Sequence, residues 1–340
     1  MKPWIMLMGG FLWAALGLAH ASSLLPDADW RSYKTSFISA DGRVIDVSNK
    51  HISHSEGQGY GMLLALVAED RATFETLWAW TKKNLQRDDM LFGWQWSPDA
   101  EPHVRDWNNA TDGDLLIAWA LARAGERWNH PEWMTEARVI LQRVRTTLIT
   151  SSAFGPVIIP AHQGFQEGGN ITLNPSYWLF PAFKTFARID PDPVWQALTQ
   201  SGLSLLALTR FGPHQIPPDW VILHADGHLG LPSDPSKRRM GFEAVRVPVY
   251  LCWAGLKDAV LMKGFLAAWP NEDAPAWIDL ANGDRSAYSL PLAQRAVRHL
   301  LAGCPGKPAG AAPRIDPNDY YGSTLTLFAK LILTRTDALP

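Results

Sequence analysis

Residues 106–128 read DWNNATDGDLLIAWALARAGERW, and within them LLIAWALARA at 115–124 is apolar almost all round. A helix with no polar face leaves nothing for water to wet, so other elements must enclose it. GMLLALVA at 61–68 has the same character. The neighbouring segments differ. In RATFETLWAWTKKN (71–84), Phe74, Leu77, Trp78 and Thr81 recur at i, i+3, i+4 and i+7, and across 131–148 Trp133, Ala137, Ile140, Val144 and Leu148 line up in a similar way. That spacing collects apolar side chains on one face and predicts half-exposed helices.

The alternation continues along the chain, with 193–209 one-sided, 247–262 largely apolar, 289–302 one-sided and 321–333 apolar again. An inner ring of enclosed helices within an outer ring of one-sided helices produces this order, so the predicted fold is an all-α double ring. Strand-like alternation is confined to pieces such as FGPVIIP (154–160) and DWVILHADG (219–227), which suit small β-hairpins on the connections. The long loops are rich in Gly, Pro, Asn and aromatic residues, and long loops in a compact domain are usually functional. Composition does not shift along the chain, and the irregular stretch GCPGKPAGAAPRIDP (303–317) lies too near the C-terminus to separate two cores. Residues 22–340 are expected to form one domain.

Three of the apolar helices open on an acid. Glu56 lies in SEGQGYGM (55–62), Asp112 and Asp114 lie in ATDGD (110–114), and Glu243 lies in RRMGFEAVRVPVYLCW (238–253), three residues before Arg246. Each has an ordinary explanation. Thr111 and Asp114 fit a variant of the capping box, acids in a first turn suit the helix dipole, and an i, i+3 Glu–Arg pair is a common helix start. Repetition weakens those explanations, because an unpaired charge buried with an apolar helix is very costly. Asp114 is therefore assigned to capping, and Asp112 to a cavity. If the helices alternate in a ring, Glu56, Asp112 and Glu243 converge at one end. Carboxylates sharing a cleft shift one another's proton affinity, so one can serve as general acid and another as general base, the pair that glycosidic bond hydrolysis requires. The glycines at 57, 59 and 61 are expected to let substrate approach the backbone.

Seventeen tryptophans is a heavy load, and many fall in loops: Trp94 and Trp96 in FGWQW, Trp107 in DWNNA, Trp178 in NPSYW and Trp220 in PPDW. Flat rings with an N–H handle can stack on sugar faces and bond their hydroxyls, while packing in the core is the alternative for each ring singly.

Taken together, SEGQGYGM, ATDGDLLIAWAL with its later RAGERW, NPSYW and FEAVRVP resemble glycoside hydrolase family 8, from DGRVID at 41 to YYGSTLTLF at 320–328. The order and spacing are similar to the members encoded with bacterial cellulose synthase. The resemblance implies an (α/α)6 barrel, inverting endo-hydrolysis of internal β-1,4 bonds in cellulose or related glucan, and no cofactor. It implies Glu56 as proton donor. Asp112 matches the acid often listed as nucleophile, which in an inverting enzyme is better taken as gripping the sugar at the cleavage point. Glu243 stands where the family usually has an aspartate base. The extra methylene changes where a base would hold its water, and Arg246 would keep that carboxylate ionised and oriented. Trp94, Trp96, Trp107, Tyr177 and Arg246 are the candidate sugar-binding residues. The departure at Glu243 leaves open a glucan-binding accessory protein with weakened catalysis, and xylan and chitosan remain alternative substrates.

The remaining features limit the partners. MKPWIMLMGGFLWAALGLAHA (1–21) has one charge, Lys2, an apolar run broken by glycines, and Ala19-His20-Ala21 before a polar stretch, the pattern of a removable export signal. A periplasmic or secreted location follows, without stable membrane insertion after removal. With 31 basic and 33 acidic side chains and only the short cluster SKRRM at 236–240, nothing attracts a polyanion, so nucleic acid is excluded as a partner. The expected partners are β-1,4-glucan chains and, through the resemblance, cellulose synthase and export machinery. Cys252 and Cys304 have no CxxC spacing and give no zinc site; a disulfide between them and a buried thiol at Cys252 are both open. His51 and His54 at i, i+3 lack a third ligand and are treated as ordinary polar residues.

Overall fold

The computed structural model describes residues 24–256, 258–304 and 311–334, so the signal-like segment 1–21 lies outside the described residues. Eleven α-helices are described: α1 (Asp27–Phe37), α2 (Ser55–Val67), α3 (Arg71–Leu85), α4 (Thr111–Arg127), α5 (Pro131–Thr147), α6 (Phe180–Ile189), α7 (Pro193–Leu208), α8 (Arg246–Trp253), α9 (Ala259–Ala268), α10 (Leu292–Gly303) and α11 (Tyr320–Leu333). Helices α2, α4, α6, α8, α10 and α11 pack in that order. The Tyr60–Phe328 ring pair, 5.2 Å between centroids, returns α11 to α2 and closes the circuit. Helices α1, α3, α5, α7 and α9 flank it, so the double ring is present.

Burial follows the sequence pattern. Every residue of α2 but Glu56 is buried, as is nearly all of α4, whereas α3 buries only Phe74, Leu77, Trp78, Trp80, Thr81 and Leu85, and α5 only Trp133, Ala137, Ile140, Leu141 and Val144. Three of the five outer helices start on side-chain caps: Asp70 accepts from Thr73 N–H on α3, Asp192 from Val194 N–H on α7 and Asp258 from Leu261 N–H on α9. In the middle of the circuit the Tyr60 and Tyr250 hydroxyls bond at 2.6 Å, tying α2 to α8.

Four expectations need correction. The apolar run 247–262 is two helices, α8 and α9, because the chain turns through Gly255 in the left-handed region (φ +69°). Helix α10 looks one-sided in sequence yet joins the inner circuit. The Thr111–Asp114 capping box does not form: Ala110 is the N-cap and offers no side-chain bond, Thr111 Oγ1 donates to Ile159 O, and Asp114 is used elsewhere. The helix glycines serve packing rather than substrate approach. A Cβ on Gly59 would stand 2.5 Å from Leu116 Cβ, on Gly61 2.7 Å from Val44 Cγ2, and on Gly57 2.9 Å from Tyr320 Oη.

Short antiparallel strands trim the connections. These are β1 (Ser53–His54) with β2 (Gln95–Trp96), the hairpin of β3 (Ile149–Ser152) and β4 (Gly155–Ile158), a four-stranded sheet of β5 (Gln166–Glu167), β6 (Asn170–Leu173), β7 (Val221–Leu223) and β8 (Leu229–Gly230), and β9 (Arg239–Met240) with β10 (Ile278–Asp279). The four-stranded sheet exceeds a local hairpin, since β6 pairs with β7 across the whole of α6 and α7. It ties the loop before Asn174 to the loop carrying Asp219 and Trp220. No described helix is long and apolar enough to cross a membrane. Cys252, buried on α8, and Cys304, the C-cap of α10, are not joined by a disulfide; the two thiols are hydrogen-bonded, and that contact and burial push the Cys252 thiol up.

Candidate active site

The predicted convergence occurs, and its centre is Arg246. The first residue of α8, Arg246 has a side chain only 3 % exposed, and its guanidinium touches three carboxylates. Nη1 contacts Glu56 Oε2 and lies 3.0 Å from Asp112 Oδ2; Nη2 contacts Glu243 Oε2 and donates to Ser176 Oγ at 2.8 Å. The acids come from the start of α2, the start of α4 and the turn before α8. The sequence grouping of Glu56, Asp112, Glu243 and Arg246 is thus one cluster in space.

Local structure explains each placement. His54 caps α2: its Nδ1 accepts from Gly57 N–H at 3.0 Å, which fixes the turn carrying Glu56, and its Nε2 lies 3.7 Å from Asp46 Oδ2. Asp112 Oδ1 accepts from Gly113 N–H at 2.8 Å, leaving Oδ2 for Arg246, and the Tyr177 side chain is hydrogen-bonded to the same carboxyl. Close packing locks the two helix starts together, since a Cβ on Gly113 would stand 2.1 Å from Ser55 Oγ and 2.8 Å from Glu56 N. Asp114, fully buried, accepts from Phe92 N–H at 2.9 Å and from Asn109 Nδ2 at 2.7 Å, so it anchors the loops behind the site. Asn174 Nδ2 donates to Glu243 Oε2 at 2.8 Å.

The acids differ in proton affinity. Burial raises Asp112 to about 6 against the bonds from Gly113 and Tyr177 and the influence of His54. Burial, then the charges of Asp219 and Asp112, push Glu243 up to about 8, with the Asn174 bond opposing. Two further influences act against that rise: the guanidinium on Oε2, and the 34 % of the side chain that stays open to the cavity. Burial also raises Asp114, to about 8. Environments that push neighbouring carboxyls apart in this way are how acid and base roles are divided.

The cluster lies at the floor of a cavity of about 460 Å³ walled by Trp94, Phe165, Tyr177 and Trp220. Phe165 and Trp220 stack at 5.4 Å, and the Tyr177 ring lies 5.8 Å from the Arg246 guanidinium. A second pocket, lined by Asp46, Phe242, Asp319 and Tyr321, also reaches Glu56, Glu243 and Arg246, so Glu56 and Glu243 stand where two hollows meet. Trp94, 38 % exposed, is on the wall and donates from Nε1 to Asp106. Trp107, 48 % exposed, lines an adjoining hollow with Arg87 and Arg105 instead. Trp96 is outside the cavity, its ring packed between Trp80, His103 and the Arg43 guanidinium. Trp178 is core. Phe165 and Asp219 were not singled out: Phe165 joins the wall through sheet pairing of distant segments, and Asp219 acts through backbone amides that sequence does not display. Among the described residues no group of His, Cys, Asp and Glu side chains could hold a metal ion.

Comparison with known proteins gives a consistent result. The family described as glycosyl hydrolases family 8 matches residues 6–335. A probable endoglucanase of Novacetimonas hansenii is 38 % identical over 89 % of this chain and 90 % of that protein. An endoglucanase of Cellulomonas uda is 37 % identical over 81 % and 77 %. The crystal structure of endoglucanase Cel10 from Klebsiella pneumoniae, a family 8 glycosyl hydrolase, superposes with a TM-score of 0.84 at 36 % identity, covering 91 % of this chain and 99 % of that one.

Proposed function

This chain belongs to glycosyl hydrolase family 8, and from that premise we propose that it is an inverting endo-1,4-β-glucanase, with Glu56 as proton donor, Glu243 as general base and Asp112 gripping the sugar at the cleavage point. The observation that carries the proposal is the set of three carboxylates on one buried guanidinium where two hollows meet. A glucan chain laid through both hollows presents an internal bond to the acids, as endo-cleavage requires. Trp94, Tyr177 and Trp220 offer ring faces to the sugars on one side.

Glu56 protonates the leaving oxygen while Glu243 takes a proton from a water that attacks the anomeric carbon from the opposite face, so the configuration inverts and no covalent sugar–enzyme intermediate forms. Asp112, held by Arg246, Gly113 N–H and Tyr177, stays fixed as the sugar distorts against it. A guanidinium suits a carboxylate rather than a carboxylic acid, so proton donation by Glu56 requires that its contact with Arg246 be given up. Residues 22–340 act as one catalytic domain. Export through the 1–21 segment, a periplasmic or secreted location and action on glucan made by a cellulose synthase belong to the same proposal. They rest on the signal-like N-terminus and on the family resemblance.

Proton NMR of cellopentaose hydrolysis tests the reaction directly. The first products should carry the α configuration at the new reducing end, and Glu56→Gln should lower turnover by about 10²–10⁴-fold without changing the melting temperature much. Products of β configuration, or a Glu56→Gln variant as fast as wild type, would overturn the assignment. Binding of cellopentaose by the wild-type protein without cleavage would favour the accessory reading that the departure at Glu243 leaves open.

A further inference from the structure

Glu243 is not part of a helix. It lies on the turn between β9 and α8, where backbone position is not fixed by a hydrogen-bonded ladder. The turn has its own bonds from Val245 N–H to Gly241 O and from Arg246 N–H to Glu243 O, and the Tyr321 hydroxyl donates to Phe242 O, but its free amides converge on one side chain from a distant loop. Asp219 Oδ1 accepts from the backbone N–H of Gly241 at 2.9 Å, of Glu243 itself at 3.1 Å and of Ala244 at 2.8 Å. Asp219 is 3 % exposed, and its own N–H donates to Arg239 O at 2.7 Å, so the loop is pinned to the strand leading into the turn. Residue 241 must be glycine for this approach, because a Cβ there would stand 2.7 Å from Asp219 Oδ2. Asp219 also precedes Trp220, a wall of the cavity, so one loop sets the platform and the base together.

We propose that Asp219 is the positioning residue for Glu243: it fixes the turn from which Glu243 reaches the site, and its negative charge sets the protonation of that carboxyl. The inference rests on the assignment of Glu243 as base. Three amide donors on one oxygen are far more than a surface cap needs, and they favour the ionised form of the carboxyl they surround. Burial lifts Asp219, while the three amides and Arg239, whose Nε lies 3.9 Å away, act against that rise. The ionised Asp219 carboxylate opposes ionisation of Glu243. The other groups facing Glu243 are Arg246 and Tyr250 on α8, Asp112 on α4, Asn174 and Tyr177 before α6 and Tyr321 on α11, with Glu56 on α2 sharing the Arg246 guanidinium. Arg246 is the cation in contact with Glu243, so the pair of like charges is a deliberate counterweight that keeps the base able to take up a proton.

The substitution Asp219→Asn tests this, since an amide oxygen can still accept the three N–H bonds while the charge is gone. The readout is the acidic limb of kcat/KM against pH on cello-oligosaccharide, which reports ionisation of the base in the free enzyme. In Asp219→Asn the midpoint of that limb should move lower by about half a pH unit or more, with the limb still present. Asp219→Ala, which loses both bonds and charge, should lose about 10–100-fold in kcat. If Asp219→Ala does not fold, the Asn variant alone decides. An unchanged limb in a folded Asp219→Asn protein overturns the proposal, whatever its kcat. Glu243→Gln in the same assay separates this result from the assignment beneath it: wild-type turnover there would remove Glu243 as base, whereas an inactive Glu243→Gln with an unmoved Asp219→Asn limb would reject Asp219 alone.

Discussion

Arg246 carries one positive charge and meets three carboxylates, so its geometry matters more than its charge. The two Nη atoms reach Glu56 and Asp112 on one side and Glu243 on the other, a fork that a lysine ammonium cannot reproduce. Arg246→Lys should therefore keep the fold but lower kcat/KM for cellopentaose by about 100-fold; steady-state kinetics within threefold of wild type would show that the fork is dispensable. Glu56, Asp112 and Glu243 were legible in the sequence because each interrupts a segment that should otherwise be buried. Arg246 was legible as a partner for Glu243 and as a candidate sugar-binding residue, but not as the common partner of all three acids, since its reach to α2 and α4 depends on how three helix starts meet. Asp219 gave no signal at all, for it bonds backbone amides, and the one side-chain requirement this sets, glycine at 241, does not point to position 219.

At the scale of elements, α2 and α4 touch along glycines, and two of these have different consequences. Gly59 faces α4 one turn beyond Glu56, and a methyl there meets Leu116 Cβ and the Ile117 amide rather than either acid. Alanine would improve helix propensity by about 1 kcal/mol, but overpacking costs typically about 1–3 kcal/mol, so Gly59→Ala should lower the melting temperature with little change in the kcat of the folded enzyme. Gly113→Ala should do the reverse in emphasis. Its methyl collides with Ser55 and the Glu56 amide, so it displaces the proton donor and should reduce kcat at least tenfold, as about 1 Å of misplacement is costly in catalysis. Thermal melts beside turnover numbers separate the two, and equal effects on both quantities in both variants would refute the distinction. Helix type and burial were legible here because the 3.6-residue pattern is strong in α3 and α5 and because α2 and α4 have almost no polar face. The break between α8 and α9 was hidden in an unbroken apolar run, and the pairing of β6 with β7 joins segments too far apart in sequence for a local pattern to disclose.

Across the whole molecule, the buried carboxyls make stability depend on pH. Asp114 and Glu243 are raised to about 8 and Asp112 to about 6, in each case with burial the largest cause, whereas the same groups in the unfolded chain ionise near 4. Between these values the folded state binds more protons than the unfolded state, so unfolding free energy falls as pH rises. The stabilisation from these groups is complete below about 4 and is lost as pH climbs through about 6 to 8. The melting temperature of the unliganded protein should decline over that interval, and Asp114→Asn, which removes one of the groups, should make the decline shallower. A melting temperature that rises steadily from pH 5 to 8 would contradict the burial-driven shifts.

The closed circuit also imposes an order in time. Phe328 and Tyr320 complete the surroundings of α2, Tyr33 on α1 bonds Thr324 on α11 at 2.9 Å, and Lys330 bonds Asp29 at 2.8 Å, so the last described helix completes the packing of the first two. Synthesis delivers the N-terminal segments first. Glu56 is therefore made early but has no finished cleft until α11 is in place, so a chain cut before residue 320 should show no turnover of cellopentaose rather than partial turnover.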